Sequence, residues 1–272
     1  MQQTKKIKPF LRWAGGKTWL LKYIDDFLPG NIYNNYHEPF LGGGAIFFHL
    51  QPNTSILSDL NPELIESYIQ VRDNVEELIK ILESYKNDKD FYYKLRNSSP
   101  RKAATKAARF IYLNKTSFNG IFRVNLKGEY NVPYGYKKNY NVDPENMRNV
   151  SKILKNAKII NQDFEKSLDS IKPKDLIFLD PPYTVTHNDN GFIKYNAKLF
   201  NEESQLRLAK YIDKIEEIGA YYILTNAAHK WVHKVFKRDS NKIYTLNRIS
   251  IIGGINAVRG NYEEYLISNI KN

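Results

Sequence analysis

Cysteine is absent from this chain of 272 residues, which excludes disulfide bridges, thiolate metal sites and cysteine nucleophiles. No apolar run approaches the length of a membrane span. The first six residues are basic but lack the apolar segment of a signal peptide. Internal repeats, low-complexity tracts and flexible glycine–serine linkers are missing as well. With 42% hydrophobic residues, the chain is expected to form a globular protein of the reducing cytoplasm.

Acidic residues are scarce in one part of the chain. Lysine and arginine number 41 against 29 aspartate and glutamate, a formal net charge of +12 that suggests a polyanionic partner, while charge alone leaves a merely soluble basic protein open. Residues 94–138 contain eleven lysines and arginines and a single acid, Glu129. Tyrosine, phenylalanine and asparagine lie among them, and these side chains contact bases while cations contact phosphates. The pattern predicts a nucleic acid as the partner.

Signals for a metal site or a nucleotide triphosphatase are weak or missing. The five histidines show no metal-ligand spacing, since His229 and His233 stand four apart without a third ligand. Residues 12–18 read Arg-Trp-Ala-Gly-Gly-Lys-Thr and imitate the end of a phosphate-binding P-loop. That motif needs a glycine where Leu11 stands, and its preceding strand is not evident. We therefore expect neither a metal centre nor a triphosphatase.

The most informative stretch is residues 176–183, Leu-Ile-Phe-Leu-Asp-Pro-Pro-Tyr. The apolar run is typical of a strand buried on both faces, and the two prolines must end it at Asp180. Ligands of open α/β sheets bind at the carboxyl ends of strands. A planar amine held there would meet the Asp180 carboxylate, the Pro181 carbonyl and the Tyr183 ring. These residues alone leave open an ordinary strand end with a surface tyrosine.

A glycine loop follows another predicted strand. Residues 38–44 read Glu-Pro-Phe-Leu-Gly-Gly-Gly, and consecutive glycines let the backbone approach a ligand closely. Asp59 ends the next predicted strand, 17 positions after Gly42. An acid at about that distance commonly binds ribose hydroxyls. Glycine-rich turns also connect ordinary elements, but the strand context and Asp59 favour a nucleoside-containing cofactor.

The predicted elements alternate between strand and helix except in the middle of the chain. An asparagine–proline pair at 61–62 starts a mostly helical stretch to residue 113, in which Asp90 is predicted to cap a helix. Residues 117–136 are predicted to form a hairpin or irregular basic loop. Further helices are predicted at 143–154 and 201–218. Strands are predicted at 36–38, 56–59, 159–160, 176–179, 221–224, 243–251 and 264–267. An α/β sheet interrupted by a helical, basic insert results.

Four stretches together resemble the Dam-type, α-class (D12 class) site-specific DNA N6-adenine methyltransferases: residues 12–17, 38–44, 163–164 and 180–183. Residues 114–135 also resemble the target-reading region of that family. The resemblance covers nearly the whole chain, and the order of the motifs marks the α class. It implies a Rossmann-like class I methyltransferase sheet, mixed and mostly parallel, with an inserted, mostly helical target-recognition domain. The implied boundaries are 1–62 and 158–272 for the catalytic domain and 63–157 for the insert.

The resemblance also implies roles for single residues, with S-adenosylmethionine as the cofactor. Implied catalytic residues are Asp180, Pro181, Pro182 and Tyr183. Implied cofactor-binding residues are Trp13, Ala14, Gly15, Lys17, Phe40, Gly42, Gly44, Asp59, Asp163, Phe164 and Asp180. Implied DNA-binding residues are Arg123, Asn125, Lys127, Pro133, Lys137 and Lys138.

The implied reaction transfers a methyl group to the exocyclic N6 amine of a flipped adenine in a specific DNA sequence. Residues 184–195 differ from the same stretch of GATC methylases and look closer to methyltransferases that accompany restriction enzymes with asymmetric sites. A cognate restriction endonuclease is therefore an expected companion. Within that stretch Phe192 and Tyr195 are expected to clamp the extruded base. Three alternatives stay open: transfer to the N4 amine of cytosine, methylation of RNA or a protein glutamine, and a non-catalytic DNA-binding module.

Overall fold

The computed structural model describes residues 7–28, 33–125, 127–136, 140–183, 200–249 and 261–271. Within them, seven strands form a sheet in the order β3-β2-β1-β4-β5-β7-β6. The pairings of β1 with β2, β1 with β4 and β4 with β5 are parallel, whereas β7 is antiparallel to β5 and β6. The predicted mixed, mostly parallel α/β fold is confirmed. The strands are β1 (Tyr36–Glu38), β2 (Ser55–Asp59), β3 (Ala157–Asn161), β4 (Leu176–Leu179), β5 (Tyr221–Ala227), β6 (Lys242–Ile249) and β7 (Asn261–Ser268).

The helices of the described residues begin and end largely where capping signals predict. Asn61 accepts from two backbone N–H groups at the start of α2, with Pro62 in the first turn. Asn201 caps α7, and Gly219 ends it in the left-handed conformation. The α-helices are α1 (Ala45–Leu50), α2 (Pro62–Asp73), α3 (Val75–Glu83), α4 (Lys89–Arg96), α5 (Ala103–Thr116), α6 (Pro144–Leu154), α7 (Glu202–Ile218) and α8 (Lys230–Phe236). Short 3-10 helices lie at Lys17–Lys22, Ile24–Phe27, Phe118–Gly120 and Phe164–Ser170.

One predicted cap is wrong. The structure starts α4 at Lys89 and makes Asp88 its cap, because the Asp88 carboxylate accepts from the backbone N–H of Phe91 at 2.8 Å. Asp90 instead lies inside the first turn of the helix. A negative charge there still favours the helix, since it faces the partial positive charge of the N-terminus.

The strand before the two prolines lies in the core. All four residues of β4 are buried, in agreement with the prediction of a strand covered on both faces. Ile177 and Leu179 pack with Tyr222 and Leu224 of the neighbouring strand β5 and with Leu208 of α7. Burial of this strand sets the position at which the chain leaves the sheet at Asp180.

The sheet order creates a switch point at β1. The chain passes from β1 to β2 on one side, whereas β4 and β5 lie on the other. Ligands of open α/β sheets bind outside the carboxyl ends of the strands at such a point. Here those ends are Glu38 of β1 and Leu179 of β4. The residues that follow them are therefore the first place to look for chemistry.

The described chain divides into two compact units. Unit 1 comprises Met1–Thr18, Gly42–Asn53 and Asp59–Asn161, and unit 2 comprises Trp19–Leu41, Thr54–Ser58 and Gln162–Asn272. Unit 1 thus contains the three glycines 42–44 of the glycine loop and the basic segment 94–138, and unit 2 contains residues 38–41 and the residues around Asp180. The domain boundaries 1–62, 63–157 and 158–272 stay a prediction. None of the helices described here combines the length and apolarity that a membrane span requires.

Candidate active site

In unit 2, the loop that follows β4 carries two polar side chains with partners on other strands. The Thr225 hydroxyl of β5 donates to Oδ1 of Asp180 at 2.8 Å. The Tyr183 hydroxyl donates to Oε2 of Glu264, on β7, at 2.6 Å. Asp180 and Tyr183 are each partly exposed, so both are held from one side and accessible from another. Sequence reasoning found the loop but missed both partners.

The Tyr183 phenol is kept protonated by its surroundings. Burial raises the pKa of Tyr183 well above its ordinary value, and the neighbouring carboxylates of Glu264 and Asp180 raise it further. A phenol that stays protonated remains a hydrogen-bond donor to Glu264 across the physiological pH range. The phenol oxygen is therefore held at the Glu264 carboxylate.

A second acid lies at the carboxyl end of β1. Glu38 is buried and accepts from the Tyr36 hydroxyl at 2.7 Å. Burial, followed by the Glu38 charge, raises the pKa of Tyr36 well above its usual value. Sequence reasoning quoted Glu38 only as part of the glycine-loop motif. Its position at the switch point places a carboxylate at the same sheet edge as Asp180.

The predicted adenine-contacting pair, Asp163 and Phe164, is tightly packed within unit 2. Asp163 caps the 3-10 helix Phe164–Ser170, and its Oδ1 accepts from the Glu165 N–H at 3.0 Å and from the Arg207 guanidinium at 2.9 Å. Phe164 is 4% exposed and stacks on Phe40, with ring centroids 5.2 Å apart. The Arg207 guanidinium also covers the Phe164 ring at 5.1 Å. Arg207 is a third residue that sequence reasoning missed.

In unit 1, Gly42 of the glycine loop lies close to Trp13 and is hydrogen-bonded to Asp59. Gly42 has a φ of +46°, and a Cβ atom there would approach Cδ1 of the Trp13 indole to 2.6 Å. Both facts require glycine at this position. The Gly42 N–H donates to Oδ2 of Asp59 at 3.0 Å, and the Tyr68 hydroxyl donates to the Gly42 carbonyl at 3.1 Å. Gly44, with a φ of +63°, precedes α1.

The carboxylate of Asp59 is held by hydrogen bonds, and the next residue, Leu60, is exposed. The Asp59 Oδ1 accepts from the Asn61 N–H at 3.0 Å, so each oxygen has a backbone donor. Burial raises the pKa of Asp59, while the N–H groups of Asn61, Gly42 and Leu60 oppose that rise. Leu60 is 68% exposed. Each carboxylate oxygen can accept more than one hydrogen bond, so hydroxyl groups of a ligand can still be bound.

The N-terminal segment of unit 1 brings the predicted cofactor residues Trp13 to Lys17 together. Lys17 is 3% exposed, and its Nζ donates to the Gly15 carbonyl at 2.8 Å. Gly15 has a φ of +82°, and the adjoining Ala14 is partly exposed. The Trp13 ring stacks on Phe122 with centroids 6.0 Å apart and planes inclined by 19°. A buried lysine beside this turn supplies a cation that is already held in place.

Asn114, in the basic segment 94–138, is hydrogen-bonded to Arg12 of the N-terminal segment. Its side chain accepts from the Arg12 N–H at 2.8 Å and donates to the Arg12 carbonyl at 2.6 Å. The same amide lies 3.3 Å from the Gly120 carbonyl. Asn114 is 2% exposed, so these bonds are sheltered from water. Sequence reasoning placed Asn114 in the target-reading region without a role, because its partner Arg12 is 102 positions away.

Residues 121–131, called here the basic hairpin, lie within the segment 117–136 that is predicted to form a hairpin or irregular basic loop, and residue 126 lies outside the described residues. Val124 and Tyr130 form an antiparallel bridge. The Asn125 Oδ1 accepts from the backbone N–H groups of Lys127 and Glu129, both at 2.9 Å, and its amide donates to the Glu129 carboxylate at 2.9 Å. Asn125 therefore stabilises the turn with the polar atoms that were predicted to contact DNA.

The remaining predicted DNA-binding residues divide into exposed ones and undescribed ones. Lys127 and Arg123 are exposed. The Nε of Arg123 donates to the side-chain oxygen Oδ1 of Asn131 at 2.8 Å. Pro133 is exposed, and its backbone carbonyl accepts from the Phe118 N–H at 2.9 Å. The predicted contacts Lys137 and Lys138, the expected clamp residues Phe192 and Tyr195, and residues 184–199 as a whole lie outside the described residues.

Aromatic rings near the basic hairpin are exposed. Phe118 is 48% exposed and Tyr136 is 69% exposed. The chain segments that carry them are paired nearby, since Ser117 and Tyr134 form an antiparallel bridge. Exposed rings beside cations are typical of surfaces on which bases stack.

Histidine side chains contribute to structure where they are described. The His229 ring accepts from the Trp231 N–H at 3.1 Å and caps α8, while the His233 ring packs against Tyr265 at 6.1 Å. The described part of the chain contains no group of three or more side chains able to hold a metal ion.

Comparisons with known proteins give the family. A model described as D12 class N6 adenine-specific DNA methyltransferase matches residues 13–251. The Type II methyltransferase M.MjaIII of Methanocaldococcus jannaschii is 41% identical over 82% of this chain and 85% of its own length. The Type II methyltransferase M1.LlaDCHI of Lactococcus lactis subsp. cremoris is 35% identical over 100% and 99%. The DNA adenine methylase of Escherichia coli strain K12 is 30% identical over 92% of each chain. The chain described above therefore belongs to the D12 class N6 adenine-specific DNA methyltransferases.

Proposed function

We propose that this chain transfers the methyl group of S-adenosylmethionine to the N6 amine of an adenine flipped out of a specific sequence in double-stranded DNA. The observation that carries the proposal is the pair Asp180 and Tyr183, each hydrogen-bonded from a neighbouring strand at the carboxyl end of β4. Two similar proteins named Type II methyltransferases support a role as the modification partner of a restriction system. The family description favours adenine over the N4 amine of cytosine.

The residues of unit 1 fit a nucleoside with a charged tail. The carboxylate of Asp59 suits ribose hydroxyls, and the exposed side chain of Leu60 suits the apolar face of a base. Lys17 is a buried cation suited to a carboxylate, with Trp13 as the adjoining wall. When bound, S-adenosylmethionine supplies an electrophilic methyl group on a sulfonium.

We assign the other predicted cofactor residues by the same resemblance. Ala14 and Gly15 bound the methionine end, and Gly42 and Gly44 allow close approach of the backbone. In unit 2, Phe40, Asp163 and Phe164 support the adenine end, with Phe40 and Phe164 acting through their packed rings and Asp163 through its cap.

Asp180 and Pro181 act on the target amine. The lone pair of an adenine amine is delocalised into the ring, so the nitrogen is a poor nucleophile. The Asp180 carboxylate and the Pro181 carbonyl accept its two N–H bonds, which favours a pyramidal nitrogen whose lone pair points at the methyl group. The two prolines stiffen the loop that presents these oxygens. Orientation of this kind can lower a barrier by up to ~7–11 kcal/mol in favourable cases.

Tyr183 and unit 1 act on the DNA. The amine is inaccessible inside a duplex, and flipping the base costs on the order of a few kcal/mol. Stacking on the Tyr183 ring returns about 1–3 kcal/mol. The exposed cations Arg123 and Lys127 of the basic hairpin supply contacts to phosphates or base edges, and Pro133 adds an apolar contact. Lys137 and Lys138 are proposed to extend this basic surface.

The decisive experiment maps methylated bases after plasmid DNA has been incubated with the protein and S-adenosylmethionine. We expect N6-methyladenine at one short sequence motif and none in a parallel reaction without the donor. Methylcytosine as the sole product, or no transfer of a radiolabelled methyl group to DNA, would overturn the proposal.

A further inference from the structure

The two side chains of the loop after β4 that act on the target base are each held by a residue from a different strand. We propose that Thr225 of β5 and Glu264 of β7 are positioning residues, which fix the Asp180 carboxylate and the Tyr183 ring in the orientations that methyl transfer requires. The inference deepens the proposed function and rests on it. Neither residue belongs to the Asp-Pro-Pro-Tyr motif, and both belong to unit 2.

The strand register explains why these two residues reach the loop. Leu179 pairs with Leu224 in the parallel pairing of β4 and β5, so Asp180 and Thr225 are the next positions on the two strands. On β5, Thr225 and Ala227 stand two positions apart and therefore face the same side of the sheet. Glu264 pairs with Ala227 in the antiparallel pairing of β5 and β7, which puts it on that side too. The sheet thus aims a hydroxyl and a carboxylate at one loop.

Thr225 restrains the carboxylate of Asp180 by a short bond. Its hydroxyl lies 2.8 Å from Asp180 Oδ1 and 3.4 Å from the Leu179 carbonyl. A threonine hydroxyl has one hydrogen to donate, and the shorter bond to the charged acceptor is the stronger one. Thr225 is fully buried, so water does not compete for this donor. Rotation of the carboxylate away from the target amine would break the bond.

Glu264 restrains the ring of Tyr183 in a similar way. The phenol donates to Oε2 of Glu264 at 2.6 Å, and Glu264 is 3% exposed. A buried carboxylate that accepts a short hydrogen bond from a phenol holds the far end of the ring. The far end of the ring, on which we propose that the flipped base stacks, is therefore held by a residue 81 positions away in the sequence.

A pair of substitutions at Thr225 separates positioning from folding. Thr225→Val keeps the shape of the side chain but removes the donor, and Thr225→Ser keeps the donor but removes a methyl group. We expect Thr225→Val to lower kcat by about 10-fold to 100-fold, the loss typical of a hydrogen bond to a charged group. The KM for DNA and the Kd for S-adenosylmethionine should change by less than about threefold, because the Thr225 side chain is fully buried. Thr225→Ser should recover most of kcat.

The matched control removes another buried hydroxyl from the same two strands. Ser268 of β7 donates to the Tyr222 carbonyl of β5 at 2.8 Å and is 2% exposed. Ser268→Ala is therefore expected to lower the melting temperature while leaving kcat of the folded protein unchanged. Equal losses of kcat in Thr225→Val and Ser268→Ala would show a general packing effect and would overturn the proposal.

A double-mutant cycle tests Glu264. Tyr183→Phe and Glu264→Gln each weaken the same bond, so the double variant should be no slower than the slower single variant. Independent, multiplicative losses would show that Glu264 acts elsewhere. These outcomes are read only against an active parent: if the unsubstituted chain transfers no methyl group to adenine, the proposed function has failed. If it is active and Thr225→Val matches it in kcat, the positioning role has failed.

Discussion

The loop after β4 and the basic hairpin are the segments to which we assign methyl transfer and DNA contact, and they are held in opposite ways. The Asp180 and Tyr183 side chains depend on buried partners from distant strands, Thr225 and Glu264. The basic hairpin is stabilised by its own residues, since Asn125 satisfies the N–H groups of the turn. Its cations are exposed.

This difference follows from what each segment has to do. Chemistry on an amine requires fixed angles and distances. The loop after β4, called here the reacting loop, therefore needs restraints from a rigid sheet. Sequence reading uses long exposed side chains on a turn that is stable by itself, and such a segment can change without disturbing the core. The reacting loop is therefore expected to be sensitive to conservative changes far along the chain, and the hairpin only to changes in its own side chains.

The largest expected effect is that of Asp180→Ala. Removal of the carboxylate should abolish methyl transfer, a fall of at least about 1000-fold, because the acceptor that we propose for the target amine is lost. DNA affinity should stay within about tenfold, since the phosphate contacts are untouched. Radiolabelled transfer to plasmid DNA and a mobility-shift titration measure the two quantities. Asp169, an exposed acid of the same unit, provides the control Asp169→Ala, which should retain full activity. Retained turnover in the Asp180 variant would refute the role assigned to that carboxylate.

The second effect compares two glycines with positive φ, both in unit 1. Gly42 has a φ of +46° and a Trp13 atom 2.6 Å from the position of a Cβ, whereas Gly128 of the basic hairpin has a φ of +77° and nothing within 4 Å. Both Gly→Ala changes incur a backbone strain of about 1–2 kcal/mol. Gly42→Ala must also displace the indole, so we expect a larger loss of melting temperature and a fall of roughly tenfold or more in cofactor affinity.

Thermal unfolding and calorimetric titration with S-adenosylmethionine measure these losses. Gly128→Ala is the matched control and should leave cofactor affinity unchanged. Equal cofactor affinities in the two variants would mean that the close approach of Gly42 to Trp13 has no part in binding.

The third effect concerns the choice of DNA sequence. Lys127→Gln removes an exposed charge from the basic hairpin, and Lys158→Gln removes another exposed charge from β3. If Lys127 reads a base, its loss should cost about 1–3 kcal/mol and relax the preference at one position of the site. Cofactor affinity should not change. Mapping of methylated adenines for both variants tests this, and identical site preferences would contradict the role of the hairpin.

The smallest effect is a pH dependence of folding in unit 2. His37 of β1 is buried and bonded to Asp175 at 2.9 Å. Burial lowers the pKa of His37 below its ordinary value, although the bond and the charge of Asp175 oppose this. The unfolded chain therefore binds a proton on His37 at a higher pH than the folded one. The contribution of His37 to the free energy of unfolding should be fully present above about pH 6.5. It should be lost as the pH falls, by at most about 1.4 kcal/mol per pH unit.

Urea unfolding between pH 7.5 and pH 5 measures this dependence. His37→Gln should be less stable at pH 7.5 but should show a shallower loss towards acid. An unchanged slope in that variant would mean that His37 does not set the acid limb.

Local chemistry accounts for the parts of the fold that sequence reasoning predicted. The prolines after Asp180, the asparagine caps of α2 and α7 and the glycine at the end of α7 act on their own neighbours, so their effects can be read without a structure. The prediction that Asp90 caps α4 was wrong because another acid, Asp88, lies two positions earlier and accepts the hydrogen bond from the Phe91 N–H. The sequence also does not show that the side chain of Asn125 is hydrogen-bonded within its own turn, and its contact with DNA stays a prediction.

By itself, the sequence determined the α/β class and located the loop after β4, the glycine loop with its acid and the basic segment 94–138, because each depends on residues close together along the chain. Only the tertiary structure decided that Thr225 and Glu264, 45 and 81 positions from their partners, hold Asp180 and Tyr183. It likewise decided that Asn114 bonds to Arg12. Such contacts depend on strand order and register, which arise when the whole core is packed and not from any local pattern.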